Sequence, residues 1–271
     1  MSKNLEDSGL KSIASEYDLF FIDIWGVVHN GIKLYENAVR ALEELANNEK
    51  KFILLTNAPR PNLTVITTLK KMGLNNFSDT VFTSGEASKR YLLENFNNKK
   101  FFHLGPPRDF DLFKTFEDNK VLNIDDSDYL LCSGLFEDHE DDLGYYKTLL
   151  SKHITKKMIC TNPDLIVDRG DKREYCAGSI AKSFEEINGE VIYFGKPYPP
   201  VYEIATDVNN KKILCIGDNL NTDIKGANLL NYHSLLVCNG IHREEIQNKG
   251  VTEVSKEYEA IINFTQTELK W

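Results

Sequence analysis

The stretch Leu19-Phe20-Phe21-Ile22-Asp23-Ile24-Trp25-Gly26-Val27 places an aspartate directly after four apolar residues. A short apolar run that ends in a polar residue is typical of a buried strand in a parallel sheet. In such sheets ligands bind beyond the carboxyl ends of the strands. Asp23 is therefore a candidate functional residue.

Strand-like and helix-like patterns alternate on both sides of this segment. The spacing of apolar residues predicts further strands over 52–55, 80–82, 191–194, 213–216 and 234–237. Helices are predicted over 37–48, 63–72, 86–95, 201–207, 222–230 and 243–248. This alternation predicts an α/β fold whose core is a doubly wound, Rossmann-like parallel sheet.

The alternation becomes irregular between residues 100 and 190. Strand-like runs remain at 101–104, 129–132 and 157–160, but acidic and loop-like stretches separate them. We therefore expect a core domain made of residues 1–99 and 191–271. Residues 100–190 are expected to form a smaller α/β domain inserted into that core.

Composition excludes several classes of partner. The 271 residues carry a formal net charge of −9, which argues against nucleic acid or an anionic membrane as the main partner. No apolar run approaches the ~18 residues of a membrane-spanning helix. The cysteine count is odd, at five, and no Cys-x-x-Cys pair occurs, so we expect reduced, buried thiols in a cytoplasmic protein. A homo-oligomer is left open.

Polar residues also end three other predicted strands. They are Thr56-Asn57 after 52–55, Gly195-Lys196 after 191–194, Gly217-Asp218 after 213–216 and, five residues further, Asp223. If these strands are neighbours, their ends bring carboxylates, a lysine and a hydroxyl–amide pair together. A carboxylate can attack phosphorus, converging aspartates bind Mg²⁺, and a lysine offsets phosphoryl charge. The pattern predicts magnesium-dependent phosphoryl transfer centred on Asp23.

The chain resembles the haloacid dehalogenase superfamily in four segments, which occur in the family's order. These are Asp23-Ile24-Trp25-Gly26-Val27, Leu55-Thr56-Asn57-Ala58, Gly195-Lys196-Pro197 and Gly217-Asp218-Asn219-x-x-Thr222-Asp223. More narrowly, it resembles subfamily IIA, the sugar-phosphate and nitrophenyl-phosphate phosphatases with an α/β cap between the second and third motifs. Thr161-Asn162-Pro163-Asp164 and Gly178 also fit that group, and the resemblance implies that the insert is its cap.

The resemblance implies a role for seven positions. Asp23 matches the nucleophile and a metal ligand, and the Trp25 backbone carbonyl and Asp218 match the other metal contacts. Thr56 and Asn57 match the phosphate-binding pair. Lys196 matches the lysine that steadies the nucleophile and the phosphate, and Asp223 matches a supporting carboxylate. It also implies Mg²⁺ as cofactor and a small phosphorylated metabolite as substrate. The subfamily resemblance makes Asn162, Asp164 and Tyr175 of the insert candidates to face that substrate, but this is the less favoured alternative to a role without substrate contact.

Trp25 is the main departure from the family pattern. Phosphatases of the family carry a second aspartate at this position, which protonates the leaving oxygen and then activates water. An indole cannot act as an acid or base near neutral pH, so the loss should cost about 10²–10⁴ in rate. His29 lies six residues beyond Asp23. It could stand in as acid or base, but we expect a loop histidine that faces the insert or solvent.

Two further hypotheses follow from the sequence. One is a degenerate relative that binds a phosphorylated ligand or a partner without efficient turnover, which the tryptophan motivates. The other is a plain nucleotide-binding domain, which ranks last because the required glycine patterns do not follow Asp23. The acidic run 137–142 is interpreted as a solvated loop that leads into a helix.

Overall fold

The computed structural model describes residues 2–169 and 172–271. Its strands are β1 Lys3–Asn4, β2 Leu19–Ile22, β3 Lys51–Thr56, β4 Val81–Thr83, β5 Phe101–Leu104, β6 Lys120–Val121, β7 Tyr129–Cys132, β8 Lys157–Cys160, β9 Ile166–Arg169, β10 Lys172–Tyr175, β11 Val191–Tyr193, β12 Ile213–Gly217, β13 His233–Val237 and β14 Phe264–Gln266. Its α-helices are α1 Lys11–Ala14, α2 Glu36–Asn47, α3 Asn62–Lys71, α4 Ser84–Asn95, α5 Leu143–Leu150, α6 Ala177–Glu185, α7 Pro200–Ala205, α8 Lys225–Leu229, α9 Arg243–Lys249 and α10 Val251–Glu257.

Short 3₁₀ helices and one π-helical turn complete the secondary structure. The 3₁₀ helices are Ser78–Thr80, Pro107–Leu112, Lys114–Asn119 and Ile124–Asp126, and the π-helical turn is Leu220–Ile224. None of the helices in the described ranges is both long and apolar enough to cross a membrane.

The chain divides into two compact units. The first comprises Met1–Thr56, Ile66–Phe82 and Tyr202–Trp271, and the second comprises Asn57–Val65 and Thr83–Val201. This division differs from the expected domain boundaries at residues 100 and 190, because the second unit begins earlier and ends later. In the structure the first unit is interrupted twice, by Asn57–Val65 and by Thr83–Val201, whereas the expected division has one interruption, residues 100–190.

The first unit is built on a seven-stranded sheet in the order β1-β14-β13-β12-β2-β3-β4. In this order, every neighbouring pair from β1 to β3 is parallel. Strand β2 pairs with residues 213–216 of β12 on one side and with residues 51–54 of β3 on the other. All four residues of β2 are buried, as a central strand requires. The α/β fold class with a Rossmann-like parallel core is confirmed.

The amphipathic pattern of the first long helix is also confirmed. Helix α2 buries Ala38, Ala41, Leu42 and Leu45, which share one face at helical spacing. The sequence did not indicate β1 and β14, which pair with each other at one edge of the sheet. Both strands are very short, and their residues lack the apolar run by which buried strands are identified.

The second unit contains a five-stranded parallel sheet in the order β11-β8-β7-β5-β6. Strands β9 and β10 form a separate antiparallel hairpin. The prediction that Val191–Tyr193 belongs to the core sheet is wrong, since this strand pairs with Met158–Cys160 of β8. A three-residue apolar run indicates a strand but carries no information about which neighbour it will choose.

A chain of buried polar groups follows the ends of β5 and β7 in the second unit. The Nε2 atom of His103 lies 2.8 Å from the Ser133 hydroxyl, which donates to Asp109 at 2.8 Å. Asp109 forms an ion pair with Arg60 at 3.3 Å. Burial, helped by the nearby Lys120 charge, lowers the pKa of His103 to about 3. This histidine is therefore neutral in the folded protein at neutral and mildly acidic pH.

Replacing His103 with Gln should weaken the loss of stability in acid. The unfolded chain binds a proton at this histidine below about pH 6.5, whereas the folded protein does so only near pH 3. His103 therefore costs stability as pH falls from 6.5, on the order of 2–3 kcal/mol by pH 4.5. Urea denaturation at pH 7.5 and 4.5 should show a smaller drop for the variant. A drop equal to that of the control His139→Gln would contradict this expectation.

Candidate active site

Asp23 lies at the carboxyl end of the central strand of the first unit. Its backbone N–H donates to the Ile216 carbonyl at 2.8 Å, which continues the pairing of β2 with β12 by one residue. The side chain is 8% exposed. A carboxylate held at this point by two flanking strands has little freedom to move, as a reacting group requires.

Asp23, Asp218 and Asp223 form a cluster, which we call the aspartate triad. One carboxylate oxygen from each lies within 4.8 Å of the others, and all three residues are buried. Asp218 directly follows β12, and Asp223 lies on the π-helical turn that begins two residues later. The Ile241 N–H donates to Asp218 Oδ2 at 2.9 Å, and the Asn219 N–H donates to Asp223 Oδ2 at 3.2 Å.

Three glycines leave space for the carboxylates of the triad. A Cβ atom on Gly26 or Gly240 would lie 2.2 or 2.1 Å from Asp218 Oδ2, and one on Gly217 would lie 2.0 Å from Asp223 Cγ. Gly26 also has a φ of +84°, which other residues rarely adopt. These positions exclude side chains because the carboxylates occupy that volume.

The triad fits a hard divalent cation. Three buried carboxylates at this spacing repel one another, and a cation would offset that repulsion. Oxygen ligands of this kind suit Mg²⁺, which is usually held by one or two carboxylates, with waters filling its other positions. Asp23 and Asp218 are the carboxylates that the sequence predicts as ligands, and the Trp25 carbonyl remains a predicted ligand.

Magnesium should stabilise the folded protein through the triad. At about 100 times its dissociation constant, Mg²⁺ would add ~2.7 kcal/mol to the free energy of unfolding. Asp218→Asn should lose most of the resulting rise in Tm, because it removes one of the converging charges. The exposed Asp79→Asn variant of the same unit is the control. A full magnesium-induced rise in the Asp218 variant would contradict the assignment.

Trp25 and His29 form a tight turn after Asp23. Their rings meet edge to face with centroids 5.1 Å apart, and Gly26 N–H donates to the His29 carbonyl at 2.8 Å. His29 Nδ1 accepts the Gly31 N–H at 2.8 Å. A Cβ on Gly31 would lie 2.6 Å from the indole, so the Trp25 ring lies against this glycine.

Of the two orientations expected for His29, toward the insert or toward solvent, burial excludes the second. The residue is only 5% exposed, and burial lowers its pKa to about 4. Its Nδ1 atom is an acceptor, so the neutral ring carries its proton on Nε2. The residue therefore stabilises the turn that follows Trp25. At neutral pH its ring is uncharged, so it has no acidic proton that it could readily donate.

Thr56 is the last residue of β3, next to β2 in the sheet, and is 7% exposed. The other two predicted phosphate-site residues, Asn57 and Lys196, belong to the second unit, where both are buried. The structure thus brings Asp23, Asp218 and Asp223 together in one unit. It brings Asn57 and Lys196 together in the other.

Asn57 binds the backbone of the segment that carries Lys196. Its Oδ1 accepts the Lys196 N–H at 2.7 Å, and its Nδ2 donates to the Lys196 carbonyl at 2.9 Å. Nδ2 also donates to Asp164 Oδ1 at 2.9 Å. The sequence singled out all three residues but gave no sign of these contacts, because they join positions more than a hundred residues apart.

The acidic run 137–142 contributes no metal cluster. Among the described residues, the triad is the one group of His, Cys, Asp or Glu side chains that meets the geometry for a cation. Glu137, Asp138, Asp141 and Asp142 are exposed, as a solvated loop predicts. Asp142 instead caps helix α5, where its carboxylate accepts the Tyr145 N–H at 3.0 Å.

Similarity to known proteins agrees with this arrangement. Two family models match: one described as haloacid dehalogenase-like hydrolase over residues 20–117, the other as HAD-hydrolase-like over residues 193–260. The curated relatives include an acid sugar phosphatase of Staphylococcus epidermidis, 24% identical across 87% of this chain and 92% of its own. Phosphoglycolate phosphatase 2 of Arabidopsis thaliana is 22% identical across 89% of both chains.

A solved structure gives the most direct assignment. A hydrolase of the haloacid dehalogenase-like family from Brucella suis is 31% identical, with a TM-score of 0.79. The match covers 86% of this chain and 93% of that one. The chain therefore belongs to the haloacid dehalogenase-like family of hydrolases.

Proposed function

We propose that this protein is a magnesium-dependent phosphatase of a small phosphorylated metabolite, which acts through an aspartyl-phosphate on Asp23. The observation that carries the proposal is the aspartate triad, in which a strand-end carboxylate lies beside two others within 4.8 Å. The relatives named acid sugar phosphatase and phosphoglycolate phosphatase 2 support the same reaction class. The net charge of −9 favours a small substrate over nucleic acid or an anionic membrane.

In the proposed first step, an Asp23 carboxylate oxygen attacks phosphorus. The bond from phosphorus to the leaving oxygen breaks, and that oxygen departs with the electron pair. Lys196 would offset the negative charge of the phosphoryl oxygens, and Thr56 would bind them. Positioning and electrostatic stabilisation supply most of the rate enhancement in phosphoryl transfer. In the second step water attacks the acyl phosphate, which releases phosphate and regenerates Asp23.

Two carboxylates of the triad and the Trp25 carbonyl are the groups that would hold the metal cofactor. Bound Mg²⁺ would supply positive charge that lets the Asp23 carboxylate and the phosphoryl group, both anionic, approach each other. Asp23, Asp218 and the Trp25 carbonyl would hold it. Asp223 would support Asp218 and the adjoining loop, since its carboxylate accepts the Asn219 N–H.

Substrate choice is assigned to the inserted domain. We propose residues 100–190 as a cap and the cytoplasm as its working compartment, which the five thiols support. Asp164 is the residue of this region with a described contact to a predicted site residue, Asn57. The chemistry of the substrate beyond its phosphate would be read by the cap.

The second candidate function is ligand binding without efficient turnover. Trp25 favours it, because the position that should carry the general acid holds an indole packed against Gly31 and His29. A panel of phosphorylated metabolites, with and without Mg²⁺, separates the two proposals. Magnesium-dependent phosphate release from one class of metabolite supports the phosphatase. Tight binding of such a metabolite without release supports the binder instead.

A further inference from the structure

The side-chain amide of Asn57 is fully committed within the second unit. Its two N–H donors go to the Lys196 carbonyl and to Asp164 Oδ1, both at 2.9 Å. Its oxygen accepts the Lys196 N–H at 2.7 Å. The orientation of the amide follows from these partners, since a backbone N–H must donate and a carbonyl must accept. No N–H of this side chain is left for a phosphoryl oxygen.

The surroundings of Asn57 confirm how closely this amide is enclosed. The residue is 5% exposed, and Lys196 is 4% exposed. Gly195 has a φ of +120°, and a Cβ there would lie 2.6 Å from Asn57 Oδ1 and 2.6 Å from the Pro163 ring. A glycine is needed beside the lysine because the amide and the proline ring occupy that space.

We propose that Asn57 is a positioning residue, which fixes the backbone of Lys196 and links it to Asp164. One amide binds both polar backbone groups of Lys196, so the direction in which the lysine side chain leaves the backbone is set by Asn57. The contribution of Asn57 to phosphate binding then comes from its backbone N–H rather than from its side chain. Only the kinetic consequence of this arrangement rests on the proposed phosphatase function.

Hydrogen exchange tests the positioning itself without any need for activity. In Asn57→Ala the Lys196 N–H loses its acceptor, so its amide should exchange at least about tenfold faster than in the wild type. The control Asn62→Asp alters another asparagine nearby in the chain, at the start of α3, and keeps the oxygen that accepts the Thr83 N–H. It should leave Lys196 exchange unchanged. Equal exchange at Lys196 in the wild type and Asn57→Ala would overturn the proposal.

Kinetics test the consequence for catalysis. Asn57→Asp keeps the shape and one acceptor but places a carboxylate against the Lys196 carbonyl and Asp164. A displaced lysine should lower kcat about 10²-fold, with little change in KM. In the pair Asn57→Asp/Asp164→Asn, the amide at 164 can donate to the carboxylate at 57, so about tenfold of the loss should return.

The outcomes separate this proposal from the proposed function. If the wild type releases no phosphate from any substrate, the phosphatase proposal fails, and hydrogen exchange still decides whether Asn57 fixes Lys196. If the wild type is active and Asn57→Asp keeps its kcat, the positioning role is wrong. Circular dichroism on each variant identifies any variant that does not fold. If Asn57→Ala does not fold, hydrogen exchange is measured in Asn57→Ser instead, and the Lys196 amide should exchange faster by the same factor.

Discussion

Asp23→Asn is expected to lower kcat/KM for p-nitrophenyl phosphate in Mg²⁺ by at least about 10³-fold. An amide oxygen is a poor nucleophile and cannot form the acyl phosphate through which the reaction is proposed to pass. The substitution also removes a charge from three carboxylates whose oxygens lie within 4.8 Å of one another. The folded apoprotein should therefore be no less stable, and the loss of rate cannot be attributed to unfolding.

The control for this variant is Asp79→Asn, an exposed site in the same unit. It makes the same chemical change away from the triad and should keep wild-type kcat/KM. Thermal unfolding without Mg²⁺ should give the Asp23 variant a Tm equal to or above that of the wild type. Wild-type turnover by Asp23→Asn would contradict the assignment of the nucleophile.

Trp25→Asp is expected to raise the rate for substrates with poor leaving groups by about 10²–10⁴. In the proposed reaction the wild type has an indole where the family resemblance implies a general acid, so the leaving oxygen would depart without a proton from this residue. Alkyl phosphates should suffer most, whereas p-nitrophenyl phosphate should suffer least because its phenolate leaves readily. A series of aryl and alkyl phosphates should therefore give a steep fall of kcat/KM with leaving-group pKa in the wild type.

The aspartate variant should flatten that dependence, because a carboxylic acid can protonate the leaving oxygen. Trp25→Phe is the matched control, since it removes the indole without adding an acid, and it should keep the steep dependence. A flat dependence in the wild type would mean that another group supplies the proton. A wild type that releases no phosphate while Trp25→Asp does so would favour the binding function over the phosphatase.

The parallel core and the aspartate triad could be predicted because they depend on local signals. Four consecutive apolar residues indicate a buried strand such as β2. The polar residue that follows them lies at the carboxyl edge of the sheet, where ligands bind. Asp218 is found by the same rule after β12. Because β2 and β12 are neighbours in the sheet, their carboxylates meet.

The source of the lysine could not be predicted in the same way. The run at Val191–Tyr193 looks like another core strand, but it pairs with β8 in the second unit. Lys196 therefore follows a strand of a different sheet from the one that positions Asp23. The hydrogen bonds between the Asn57 amide and the Lys196 backbone could not be predicted either. Side-chain contacts between positions 139 residues apart leave no periodic pattern in the sequence.

The turn behind Trp25 shows a third limit. His29 follows two apolar residues, and the sequence predicts a loop histidine that faces the insert or solvent, yet the residue is buried and contacts the Gly31 N–H and the Trp25 ring. Glycine at 31, with a φ of +86°, allows the chain to fold back over the tryptophan. That reversal depends on packing between side chains rather than on any regular spacing.

The central claim is a covalent phosphoryl group on Asp23, and rapid acid quench followed by peptide mass spectrometry tests it most directly. The wild type would be mixed with p-nitrophenyl phosphate and Mg²⁺, quenched within milliseconds and digested at low pH. The account predicts one added phosphoryl group on the peptide that contains Asp23, absent in Asp23→Asn and absent without Mg²⁺. Turnover with no phosphorylated Asp23, or with the group on another residue, would contradict it.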